Sequence, residues 1–147
     1  MTNKGNCPLC AHRLPGEILR TNQWAIVDAQ EPLFPGFTRV VWLDHVAEMT
    51  DLQEADRLSL MQVVFEVENL MRQMLRPDKV NLACLGNQVP HLHWHIIARW
   101  RDDAAFPASV WGPARPSAAS QDRQQSIQRL LTDYHRALKQ RFITDSS

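Results

Sequence analysis

His91-Leu92-His93-Trp94-His95-Ile96-Ile97 alternates imidazole and apolar side chains along the chain. Successive residues of an extended strand point to opposite faces. The segment therefore predicts a strand with Leu92, Trp94 and Ile96 turned to a core and His91, His93 and His95 turned to a second face. Alternate residues on one face stand about 7 Å apart, close enough to share one phosphate group or one metal ion. A histidine with its ordinary pKa near 6.5 is largely neutral at pH 7 and offers a lone pair. Two chemistries are open. The row could ligate zinc in an open catalytic site, or the middle imidazole could attack phosphorus. In the second case one flank orients it and the other meets phosphate oxygens or the leaving group. A purely structural row would pack poorly and repel itself on protonation.

Working outward, His91–Trp100 is expected to be the last strand of a sheet, with Val80–Leu85 before it across the loop 86–90. Upstream, Glu17–Arg20 and Trp24–Val27 flank the turn Thr21-Asn22 and read as a hairpin, and Val40–Leu43, β-branched and aromatic, reads as a further strand. Thr50 and Gln53 have the spacing of a capping box, and Leu60, Val64, Val67, Met71 and Met74 follow at helical spacings, so a long amphipathic helix is predicted up to Pro77. The 101–119 segment carries three prolines and little periodicity, which suits a lid or interface segment. A C-terminal helix over 120–142 places Ile127, Leu130, Leu131, Tyr134, Leu138 and Phe142 on one face. Strands interrupted by helices without regular alternation predict an α+β fold with an antiparallel sheet.

Composition narrows the partners. At 147 residues the chain has the size of one domain, 1–147. Sixteen basic and sixteen acidic side chains balance, leaving no net field for nonspecific nucleic-acid or anionic-membrane binding. The apolar runs are too short for a membrane span and the opening Met1–Cys7 stretch lacks a leader's apolar core, so a cytoplasmic protein with a small-molecule partner is expected. Three cysteines argue against a disulfide framework. Cys84, among Val80, Leu82 and Leu85, is expected to be a small core residue. His12 and His135 are expected to be solvated. Trp94, Trp100, Phe106 and Trp111 amount to more aromatic surface than a small monomer should expose, which points to a homodimer.

The histidine row resembles the motif of the histidine triad family, in which His, an apolar residue, His, an apolar residue, His and two apolar residues follow one another. Asp28, Pro35-Gly36 and His45 fit the resemblance upstream. Lys79-Val80-Asn81, Leu85-Gly86-Asn87, Val89-Pro90, Asp102, Asp103, Pro107 and Val110-Trp111-Gly112 are similar to the bacterial diadenosine tetraphosphate hydrolase-like branch. The likeness covers roughly residues 7 to 112. It implies an open sheet of about five mostly antiparallel strands flanked by helices, usually in a dimer, and a two-step reaction that needs no catalytic metal. By motif position, His93 would attack the α-phosphorus of a nucleotide and His95 would assist at the phosphate and leaving group, with His91 completing the row. Asp28 would hold the ribose hydroxyls, and Asn81 and Asn87 would touch phosphate oxygens. Gln88 stands where many relatives carry Ser or Thr for the α-phosphate, and Phe37 where many carry His. A diadenosine polyphosphate or adenylated small molecule is the implied substrate class. A nucleotide-binding regulator with little turnover and a zinc hydrolase with the row as ligands are the alternatives.

Cys7-Pro8-Leu9-Cys10 has the spacing of a zinc half-site that needs two more ligands, for which His45 and His91 are candidates and His12 a spare. Some branches of the family are similar in joining two cysteines, the histidine before the helix and the first histidine of the row into a structural zinc site. That likeness implies Zn2+ on Cys7, Cys10, His45 and His91.

Overall fold

The computed structural model describes residues 4–143. Met1, Thr2 and Asn3, part of the stretch read for a leader, lie outside them. Five strands form, β1 Glu17–Arg20, β2 Trp24–Asp28, β3 Thr38–Trp42, β4 Lys79–Ala83 and β5 His93–Arg99. They join in the order β1-β2-β3-β5-β4, every neighbouring pair antiparallel. The long helix α1 spans Glu54–Leu75, and α2 Ala118–Gln128 and α3 Leu131–Ile143 close the chain. This is the α+β architecture expected from the sequence.

The two faces of the sheet follow from the period-two pattern. Trp24, Ile26, Val40, Trp42, Ile96 and Ala98 pack on Leu60, Val64, Val67 and Met71 of α1 and on Tyr134 and Leu138 of α3. On the other face, antiparallel register sets Arg39 opposite His95 and Val41 opposite His93, so that face collects the polar side chains. Helix α1 ends where Arg76 turns left-handed (φ 51°) just before Pro77. Among the described residues no helix is long and apolar enough to cross a membrane.

Several local expectations are corrected. The Thr50/Gln53 cap is not used: Glu48 and Asp51 exchange side-chain to backbone bonds around a 3-10 turn, and α1 starts after it. Strand β4 stops at Ala83, so Cys84 falls in the loop and is exposed instead of lying in the core. Strand β5 starts at His93, which leaves His91 and Leu92 outside it. The C-terminal helix is two helices broken near Arg129, and Leu130 at the break faces solvent. Trp100 is buried and Trp94 packs against the core, donating Nε1–H to the Met49 sulfur, so neither contributes the aromatic surface expected of it. His135 is half-buried against Asp28 and not simply solvated.

The C-terminal helices hold the sheet from behind the polar face. Thr38 Oγ1 donates its only proton to the Gly36 carbonyl, so the fully buried Tyr134 hydroxyl, 2.9 Å away, must donate to Thr38. Replacing Tyr134 by Phe should therefore cost about 1 kcal/mol of stability, a fall in Tm of roughly 2–4 °C for a domain of this size. Calorimetric unfolding checks it, and an unchanged Tm would remove this clamp from the account.

Candidate active site and metal centre

The polar face opens into a pocket of about 540 Å3. Its floor is His93 and His95 of β5 with Arg39 of β3, and its sides come from Leu9, Asp28, Asn87 and Trp111, among others. The strand alternation that makes Trp94 and Ile96 core residues is what turns His93 and His95 into the pocket. Their ring centroids lie 4.8 Å apart. Phe37 and Trp111 meet the His95 ring edge-on at 5.5 and 5.1 Å. These contacts fix its plane. The position where Phe37 replaces the expected His thus supplies an aromatic wall.

Hydrogen bonds select the tautomers. His93 Nδ1–H donates to the His91 carbonyl at 2.6 Å, leaving the Nε2 lone pair free. Arg39 Nε–H donates to His95 Nδ1 at 3.3 Å, so a neutral His95 carries its proton on Nε2. Burial holds both imidazoles neutral: it lowers His93 below the usual histidine range, and together with His93 and the Arg39 cation it pushes His95 down to about 3. The pair is thus one unprotonated nitrogen beside one N–H donor.

Asp28 ends β2 at the pocket wall. Its Oδ1 accepts from the Gln30 amide at 2.8 Å, and Oδ2 lies 3.7 Å from His135 Nε2 on α3. Gly16 makes room for it: with φ of +71° and the Asp28 carbonyl so close that a Cβ would sit 2.3 Å away, no other residue fits that turn. Asn87 and Gln88 line the pocket. Asn81 does not; its Oδ1 accepts from the buried Arg99 guanidinium at 2.9 Å. Arg99 also forks onto Asp103 and donates to the Ala108 carbonyl, which ties the 101–115 segment to the end of β5 and brings Trp111 over His95. Two residues were missed by sequence reasoning. Arg39 is a lone charge in an apolar strand, and His135 lies in a helix that the family resemblance does not reach.

The first histidine of the row belongs to a second centre. His91 is fully buried, is not among the residues lining the pocket, and sends its Nδ1 to Cys7 and Cys10 Sγ at 3.4 and 3.5 Å and to His45 Nδ1 at 3.2 Å. Cys10 Sγ lies 3.3 Å from His45 Nδ1. With Zn–N near 2.05 Å and Zn–S near 2.3 Å, a tetrahedron has N···N edges of about 3.3 Å and N···S edges of about 3.6 Å. The observed spacings match within a few tenths. His91 Nε2–H donates to the Trp42 carbonyl, which leaves Nδ1 as the ligand atom, the usual outer bond of a metal-bound histidine. The donor set fits a structural zinc ion. Among the described residues this is the one His/Cys/carboxylate cluster with metal spacing, and His93, His95 and His12 are outside it. The alternative with all three row histidines on one metal therefore has no geometry behind it.

Fold and site define an α+β protein with a strand-borne imidazole pair and an adjoining Cys2His2 centre. The chain belongs to the HIT domain family, whose model matches residues 17–102. The family is one of nucleotide-binding proteins, hydrolases and transferases. The chain is 29% identical over 87 residues to an AP-4-A phosphorylase of Mycobacterium tuberculosis, a match covering 55% of this chain and 45% of the relative, so it spans under half of that protein's length. A histidine triad protein from Bradyrhizobium japonicum is 30% identical over 78% of this chain and 88% of its own, with a TM-score of 0.62. A zinc-bound histidine triad family protein from Mycobacterium smegmatis shares the fold at TM-score 0.63 and 20% identity, covering 94% and 99% of the two chains.

Metal analysis of the purified protein should approach one zinc per chain. Changing Cys7 and Cys10 together to Ser should remove it and lower the Tm, because ligation and folding are linked at such a site. Equal thermal stability of metal-free and metal-loaded protein would leave the four side chains without a joint role.

Proposed function

We propose that this chain is a nucleotide hydrolase or nucleotidyl transferase acting at the α-phosphate, with a diadenosine polyphosphate or adenylated small molecule as substrate. The observation that carries the reading is the His93 ring. Its Nδ1–H is tied to the His91 carbonyl, and its free Nε2 faces the pocket beside the N–H of His95. In the first step the Nε2 lone pair forms a bond to phosphorus while the bond to the leaving oxygen breaks, its electron pair going to that oxygen. The histidine keeps its Nδ1 proton and becomes cationic, and the His91 carbonyl on that N–H stabilises the charge. His95 Nε2–H donates a hydrogen bond to a phosphoryl oxygen. In the second step water attacks, the P–N electron pair returns to Nε2, and the proton of the water passes to solvent. With another acceptor in place of water the same step is a transfer.

Asp28 is the ribose-binding group in this reading, a carboxylate that can accept from both vicinal hydroxyls. Asn87 and Gln88, which line the pocket, are the phosphate-binding groups in this reading. Asn81 lies outside the pocket lining, and its Oδ1 accepts from Arg99. Cys7, Cys10, His45 and His91 carry zinc as a structural ion that fixes the peptide before His93. A cytoplasmic setting and a homodimer complete the proposal. The dimer now rests on the open edge of β4 with its exposed Leu82, and not on Trp94 or Trp100.

His93→Ala should bring turnover to background while adenosine monophosphate binding stays within about tenfold, since a nucleophile is lost and the pocket is kept. Asp28→Ala should chiefly weaken binding, by about 1.5–3 kcal/mol for hydrogen bonds to a charged group, roughly ten- to a hundredfold. Steady-state kinetics on a dinucleoside polyphosphate and calorimetric titration read both. Retained turnover in His93→Ala overturns the mechanism.

A further inference from the structure

Arg39 and Arg99, on the polar face of the sheet, have opposite circumstances. Arg99 is 2% exposed and well partnered: Asp103, Asn81 and the Ala108 carbonyl take its guanidinium. Arg39 is half-buried in the pocket floor and has no such partners. Among the described residues no carboxylate comes within ion-pair distance of it, and its only hydrogen bond is Nε–H to His95 Nδ1. Its guanidinium lies 5.4 Å above the Phe37 ring, an apolar support that leaves both Nη groups without a protein acceptor. Burial works against its charge, lowering its pKa, yet an arginine stays protonated. Glu31 acts on this cation only from beyond ion-pair distance, so the half-buried guanidinium keeps two Nη groups open to an anion entering the pocket beside the two imidazoles.

We infer that Arg39 binds phosphoryl oxygens of the substrate and selects substrates whose leaving group departs as an anion. This rests on the reaction proposed above and names its substrate class: nucleoside polyphosphates and dinucleoside polyphosphates over nucleoside phosphoramidates. The chemistry of departure separates the two. A phosphate or polyphosphate leaves with the electron pair of the broken P–O bond and is stable as an anion at neutral pH, so it needs a cation and no proton. An amine must receive a proton as the P–N bond breaks. His95, neutral with Nδ1 occupied by Arg39, has no surplus proton to give, since loss of its Nε2–H would leave an imidazolate. The floor thus supplies positive charge and hydrogen-bond donors in place of an acid. The fork of a guanidinium suits two phosphoryl oxygens better than a point charge does.

The test compares wild type with Arg39→Leu, Arg39→Gln and Arg39→Lys on diadenosine tetraphosphate and on adenosine 5′-phosphoramidate, with calorimetric binding of adenosine, adenosine monophosphate and inorganic pyrophosphate. Arg39→Leu and Arg39→Gln should lower kcat/KM on the tetraphosphate by about a hundredfold or more and on the phosphoramidate by less than about tenfold. Arg39→Lys should recover part of the loss. Pyrophosphate affinity should drop in the uncharged variants while adenosine affinity holds. Equal losses on both substrates, or unchanged pyrophosphate affinity, overturn the inference. If wild type turns over neither substrate, the hydrolase reading fails, and the pyrophosphate-against-adenosine comparison alone decides the role of Arg39. Melting curves identify any variant that does not fold, and the Gln change, which keeps an amide donor, stands in for Leu.

Discussion

The site depends on one residue, His91, held by three kinds of contact. Its Nε2–H is fixed on the Trp42 carbonyl, its Nδ1 joins Cys7, Cys10 and His45, and its own peptide oxygen takes the Nδ1–H of His93. The last contact is available only because the chain is not yet a strand there. His91 N–H turns back to the Val89 carbonyl, and regular pairing on β3 begins with His93 opposite Val41. Had β5 begun two residues earlier, that oxygen would face a ladder partner. The Cys2His2 cluster and the His93 imidazole of the pocket thus meet at one peptide.

The electrostatics of the pocket floor follow from what can be buried cheaply. A neutral imidazole with one nitrogen bonded costs little, whereas a charged one would need a partner. His93 and His95 are both of the first kind. The floor's positive charge is carried by Arg39, whose pKa is too high for burial to neutralise it. Arg99, further along the same face, shows the usual solution for a buried guanidinium, a fork onto Asp103 with Asn81 and the Ala108 carbonyl taking further donors.

Much of the fold was legible because period-two and helical spacings are local. The burial of Trp94, Ile96 and the α1 stripe can be read from their own neighbours in sequence. The spacing of Cys7 and Cys10 announced half a zinc site, but closure onto His45 and His91 spans 35 and 84 residues and came from resemblance alone. Arg39 was illegible for a different reason. Within Thr38-Arg39-Val40-Val41-Trp42 an isolated charge reads as a solvent-facing position, and only the register opposite His95 gives it a task. The bond from the buried Arg99 to Asn81 Oδ1 was hidden in the same way, since the two lie on neighbouring strands. Trp100 looked like spare aromatic surface because nothing local says that α2 covers it, with Arg123 over the ring at 5.8 Å.

The pocket is shaped by segments beyond the strands that carry its floor. Pro8 and Leu9 come from the cysteine knuckle, Trp111 from the segment stapled by Arg99, and His135 reaches Asp28 from the last helix. All of them lie outside the 17–102 span that the family pattern matches. The sheet and its imidazole pair thus form a platform, and the flanking segments add Leu9 and Trp111 to walls that also include Asp28 and Asn87. Changes at Leu9, Trp111 or His135 would therefore reshape the rim of the pocket while the sheet and the imidazole pair stay as they are.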